Sequence, residues 1–235
     1  MGRPTVILSP HLDDAVLSCW HLLDGPGDVR VVNVFAGVPP AGTVTGWWDR
    51  ESGSGDSALA ARERIDEDRA ALAVAGREPV NLDFLDAQYR DGEPDGAELR
   101  AALREHVPPS ALVYVPAAYA GGGGEQRFPL RSDVPHPDHA ALRDAGAALR
   151  AEGYATALYA DLPHASFTRA NGWPESAPAL GELAPEPHDL GPAALERKLG
   201  ALREYRSQIG LLERAFGPLL EDPTPLRYEV VWRAG

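Results

Sequence analysis

Short apolar runs alternate with longer amphipathic stretches along this chain. TVIL (5 to 8), VRVVNVFA (29 to 36), VNLDF (80 to 84), ALVYVP (111 to 116) and ATALYA (155 to 160) are largely β-branched or aromatic and end near Gly, Pro or Asp, as buried strands do. Apolar residues at three- and four-residue spacing predict helices over 13 to 24, 57 to 76, 96 to 107, 136 to 153 and 192 to 210. This rhythm predicts an α/β fold, a mostly parallel sheet with helices on both faces and the site at the carboxyl ends of its strands. The final LRYEVVWR (226 to 233) alternates like an edge strand or hairpin arm. Segments 36 to 56, 117 to 135 and 164 to 189 read as loops, and the first two follow strands, so they are expected to overhang one rim. No composition break or repeat divides the chain, and 1 to 235 is read as a single domain.

Charge narrows the function. There are 35 acidic against 22 basic residues, a net charge of −13, and no basic run, which argues against a nucleic-acid partner. The apolar runs are strand-sized, too short to cross a bilayer, and the chain enters a strand at once, so a cytoplasmic protein without a membrane partner is expected. Cys19 is the single cysteine and falls in an apolar helix pattern, which leaves histidine and carboxylate as metal ligands. Nothing in the sequence signals an oligomeric state.

Two polar clusters stand out. The first strand runs into His11, Asp13 and Asp14, and HPDH supplies His136, Asp138 and His139 at a predicted helix start. Each cluster alone also reads as a helix cap, because carboxylates complement a helix N-terminus and Pro137 suits its first turn. Together, His11, Asp14 and His139 supply two imidazoles and a carboxylate, a set typical of catalytic zinc sites. Asp13 and His136 are then the candidate base and acid beside them.

SPHLDD and HPDH resemble the motifs of the PIG-L or LmbE-like N-deacetylases, zinc enzymes with a Rossmann-like fold, whose motifs usually read AHPDDE and HxDH. The resemblance continues through RIDEDRAALAVAG, NLDFLDAQYR and ERKLGALREYRSQIGLL, and so covers most of the chain. It implies that His11, Asp14 and His139 ligate Zn2+, with Fe2+ or another divalent metal as alternatives. It also implies that Asp13 is the general base, that His136 steadies the oxyanion or protonates the leaving amine, and that Asp138 orients the histidine pair. The implied reaction removes an N-acetyl or other N-acyl group from an amino sugar or related natural-product intermediate, a small-molecule N-acyl substrate. Leu12 replaces the usual Pro, Ala15 the usual Glu, and Val134 stands where thiol-sugar members often carry Tyr.

Asp86, Arg64 and Gln208 are the candidate substrate-binding residues; a turn role for Asp86, a helix-face pair of Arg64 with Glu67 and a solvated face for Gln208 are the plainer readings. Trp47 and Trp48 are read as a lid, a sugar platform or a loop anchor, and His164 is kept as a pocket residue. GGGG at 121 to 124 fits no phosphate loop and argues for mobility. Two other functions stay open: a metal-dependent amidase on thiol conjugates or other non-sugar amides, and a non-catalytic module holding a nucleotide or metal. SPHLDDA lacks the glycines of a dinucleotide fingerprint, and no GxSxG marks a serine hydrolase.

Overall fold

Five of the predicted strands form where the apolar runs placed them. The computed structural model describes residues 3–42, 46–119, 135–165 and 183–233. β1 (Thr5–Ser9), β2 (Val29–Asn33), β3 (Pro79–Asn81), β4 (Leu112–Pro116) and β5 (Ala155–Tyr159) run parallel, and β6 (Ala184–Asp189) and β7 (Tyr228–Arg233) complete the sheet. The strand order is β3-β2-β1-β4-β5-β7-β6, with β7 antiparallel to both of its neighbours. Val6, Ile7 and Leu8 of β1 are at most 1% exposed, which explains a run with no polar alternation.

The helices divide into two packed groups. α1 (Asp14–Ser18), α2 (Trp20–Leu23), α4 (Ser57–Ala73) and α7 (Pro192–Leu202) pack together, whereas α5 (Gly96–His106) packs on α6 (Pro137–Ala151), which covers β4 and β5. Right-handed crossovers require this division, because the chain moves outward from β1 to β3 and then returns past β1 to β4 and β5. The strand order therefore reverses between β1 and β4, and a crevice opens at their carboxyl ends. α6 lies close on β4 because Gly146 has no side chain: a Cβ there would stand 2.8 Å from Val115 methyl carbons. Three shorter helices are α3 (Trp47–Glu51), α8 (Ile209–Phe216) and α9 (Thr224–Arg227).

Several elements differ from the sequence reading. The helix expected over 13 to 24 is broken at Cys19, which is buried in the core. A buried ion pair serves both sides of the break: Lys198 Nζ donates to the Leu17 carbonyl at 2.6 Å, and Glu229 accepts the Trp20 and His21 amides at 2.9 and 2.8 Å. The helix expected over 192 to 210 ends at Leu202, and α8 begins at Ile209. Between them Ser207 donates from its amide and hydroxyl to Glu67 at 2.8 and 2.7 Å, bonds that hold the chain out of the helical path although its apolar spacing continues. The last strand, β7, is interior and not an edge. The edge is β6, whose APEPHD sequence hid it inside the loop expected over 164 to 189; its two prolines suit an edge position.

Much of the long segments 117 to 135 and 164 to 189, including the GGGG run and Val134, lies outside the described residues. Among the described residues no helix is long and apolar enough to cross a membrane.

Candidate active site

The turn after β1 is shaped by its own side chains. Ser9 Oγ donates to the His11 carbonyl at 2.7 Å and accepts the Ala15 amide at 3.0 Å, and Asp14 Oδ2 accepts the His11 amide at 2.8 Å. These bonds fold His11, Asp13 and Asp14 over the end of β1. Across the crevice, His136 is the N-cap of α6, its Nδ1 accepting the Asp138 amide at 3.3 Å, with Pro137 in the first turn. His139 follows on the same helix and faces the turn.

The two clusters converge on one carboxylate oxygen. Asp14 Oδ2 is 3.3 Å from His11 Nδ1 and 3.3 Å from His139 Nε2. The remaining nitrogen of each ring has its own carboxylate, with Asp138 Oδ2 3.0 Å from His11 Nε2 and Asp161 Oδ1 2.7 Å from His139 Nδ1. Such carboxylate backing fixes the ring and its tautomer and raises the basicity of the inward nitrogen, as in histidines that ligate metals. Donor atoms of His11, His136 and His139 also lie within 4.8 Å of one another.

Electrostatics favour positive charge at this point. Burial opposes protonation of His139, but Asp14 and Asp161 overcome it and raise its pKa to about 10. Burial likewise opposes protonation of His11, yet Asp138 and Asp14 hold it well above the usual histidine range. Burial would raise Asp14, but His139 and His11 hold it well below the usual carboxylate range. The donor set, ring orientation and field all fit a divalent cation among these residues.

Asp13 and His136 are perturbed differently. Burial, helped by the Asp14 charge, raises Asp13 to about 6, close to the range a general base needs. Burial and the neighbouring His11 and His139 lower His136 to about 2, so its imidazole is neutral. Asp138 does not reach the cavity. It is fully buried below His11, accepts the Ala87 amide at 2.9 Å and is paired with Arg90, and its contact with His11 Nε2 makes it a support for that ring.

A cavity of about 230 Å³ opens over these groups, and all three candidate substrate-binding residues line it. Asp86 caps a short 3-10 turn through the Gln88 amide at 3.0 Å. Arg64 does not pair with Glu67: its guanidinium meets the buried Asp49 of α3 and the Tyr89 hydroxyl, whereas Glu67 is bound by Ser207. The closer partner wins because α3 folds back onto Arg64. Gln208 accepts from Trp48 Nε1 and donates to Ser207 Oγ at 2.8 Å. Arg64 and Gln208 thus both tether α3, and Trp47 and Trp48 form part of the cavity wall. His164 lines the cavity too, with its ring centroid 5.7 Å from that of His139 and its pKa lowered to about 4 by burial and that neighbour.

Asp161 and Asp49 were missed in the sequence. Asp161 stands just past the carboxyl end of β5, the same location that singled out His11 after β1, and that rule would have found it. Asp49 carried no comparable signal, since its partner lies on another element.

No protein-family model matches the sequence. The chain is 26% identical over 201 residues to the 2'-N-acetylparomamine deacetylase of Niallia circulans, covering 73% of this chain and 72% of that protein. It is similar to the crystal structure of the A40926 pseudoaglycone deacetylase Dbv21, with a TM-score of 0.73 and 29% identity over 98% of this chain and 96% of that one. The zinc-inhibited form of the teicoplanin deacetylase Orf2 also matches, with a TM-score of 0.73, 26% identity and 98% of each chain covered.

Proposed function

We propose that the chain, which is similar to these deacetylases, is a metal-dependent N-deacetylase of the LmbE-like family acting on amino sugars borne by a glycopeptide or aminoglycoside intermediate. The observation that carries this reading is the convergence of two carboxylate-backed histidines on Asp14. His11, Asp14 and His139 would hold the cation, with Zn2+ the first choice for imidazole and carboxylate donors.

When bound there, the cation would supply Lewis acidity, acidifying water and polarising the amide carbonyl. Asp13, beside the ligands and already drawn toward neutrality, takes the proton of the attacking water. The neutral His136 imidazole donates its ring N–H to the carbonyl oxygen as that oxygen gains charge, and Asp13 returns the proton it took from water to the amine nitrogen as the C–N bond breaks. One water and one amide yield one carboxylic acid and one amine. Asp138 and Asp161 hold the histidine rings in place throughout.

The cavity also bears on the substrate class. Among its described lining residues Arg64 is the one arginine or lysine, and it is paired with buried Asp49, while Asp13, Asp14 and Asp86 add negative charge. Such a wall suits a neutral or amine-bearing sugar and disfavours a sugar phosphate. Trp47, Trp48 and Phe216 offer an apolar face to the rest of the molecule.

The test is an acetate-release screen of zinc-loaded protein against N-acetyl glycopeptide pseudoaglycones, N-acetylated aminoglycosides and an N-acetylglucosamine phosphate. Acetate and free amine should appear in equal amounts with a member of the first two groups. A preference for the phosphate would overturn the substrate class, and no acetate from any of them would count against the reaction.

A further inference from the structure

Tyr205 sits in the bend between α7 and α8, 1% exposed, and its hydroxyl meets two oxygens at once: the Leu12 carbonyl at 3.0 Å and Asp68 Oδ1 at 2.7 Å. A hydroxyl has one hydrogen, and a carbonyl only accepts. If Tyr205 gave that hydrogen to an ionised Asp68, its oxygen and the Leu12 oxygen would face each other without a proton inside the protein. Both contacts are satisfied when the proton between Asp68 and Tyr205 belongs to Asp68. The other carboxyl oxygen is accounted for: Asn33 Nδ2 donates to Asp68 Oδ2 at 2.7 Å and gives its second hydrogen to Asn81 Oδ1 at 2.9 Å.

We propose that Asp68 is held as the neutral acid and is a positioning residue, donating to the Tyr205 oxygen so that Tyr205 in turn pins the Leu12 carbonyl. Leu12 lies between His11 and Asp13, so this relay, running from α4 through the α7–α8 bend, fixes the turn that aims the ligands and the base. Asp68 is fully buried on α4. Its surroundings agree: burial raises its pKa to about 7, against the opposing effect of the Tyr205 and Asn33 bonds. Among charged groups, Asp13 on the turn favours the proton and Arg69 on α4 disfavours it.

The activity readout rests on the deacetylase reading, but the proton assignment does not. Infrared difference spectra of wild type against Asp68→Asn, taken about one pH unit below 7, should show a protonated-carboxyl band belonging to Asp68; its absence would overturn the proposal whether or not a substrate is known. With a substrate in hand, Asp68→Asn should keep kcat within roughly threefold, because an amide N–H replaces the acid O–H. Asp68→Ala and Tyr205→Phe, which remove the relay, should lower kcat about tenfold with KM little changed, the scale of one hydrogen bond. Zinc content and circular dichroism separate this loss from misfolding. If Asp68→Asn falls as far as Tyr205→Phe, the charge of Asp68 and not its proton matters, and the proposal fails.

Discussion

Replacing Lys198 by Met should destabilise the fold more than almost any other single change outside the hydrophobic core. Lys198 is fully buried, and its Nζ donates to the Leu17 and Leu226 carbonyls at 2.6 and 2.9 Å and to Glu229 Oε1 at 2.6 Å. Methionine fills the space but leaves two carbonyls and a fully buried carboxylate without this donor. Breaking a buried pair from one side costs roughly 3–5 kcal/mol. Although burial opposes ionisation of Glu229, Lys198 and His21 lower its pKa to about 2, whereas burial lowers the pKa of Lys198 itself and subtracts from the pair at neutral pH. The low end, about 3 kcal/mol, is therefore expected. Because the Glu229 pKa is depressed on folding, its contribution is present above its usual value of 4.5 and is lost as pH falls toward about 2. Urea denaturation of wild type and Lys198→Met should thus show a gap that is full near neutrality and narrows in acid. Lys198→Met/Glu229→Gln should recover part of the loss. A single-mutant cost under about 1 kcal/mol, or a gap that widens in acid, would refute the reasoning.

Other outcomes follow from the site. Asp161→Ala should weaken zinc binding roughly 10- to 100-fold, read by competition with a chelating dye, because His139 loses the acceptor that fixes its ring. Asp49→Asn should raise KM more than it lowers kcat, since Arg64 and Tyr89 lose the charge that docks α3 against the cavity. Asp68→Asn should gain stability relative to wild type as pH rises from about 4 to about 7: a carboxyl whose folded pKa is raised favours folding below its unfolded pKa and loses that advantage through the folded one. Parallel denaturation curves at the two ends of that range check it.

The parallel half of the sheet was readable because a strand buried on both faces must be largely apolar, and β1, β4 and β5 are. β6 was not, since an edge strand with solvent on one side can carry APEPHD and still pair through its backbone. The breaks at Cys19 and after Leu202 escaped for a different reason: apolar spacing runs through both, and what stops the helices is a set of long-range bonds from Lys198, Glu229 and Glu67. The converging donors were legible because His11 and Asp14 sit three residues apart at a strand end, and His139 one turn into a helix. The groups that support them were harder to see. Asp161, Asp49 and the Asp68–Tyr205 relay act through partners distant in sequence, and Arg64 and Gln208 reach the cavity while binding α3.

The most direct test of the central claim is acetate release from the best N-acetyl substrate, measured against zinc equivalents added to chelator-stripped protein. The account predicts no release without metal, activity rising to a plateau near one equivalent per chain, and an Asp13→Asn protein that binds that equivalent while turning over roughly 10² to 10⁴ times more slowly. Release that persists in fully stripped protein, or an Asp13→Asn protein as active as wild type, would contradict it.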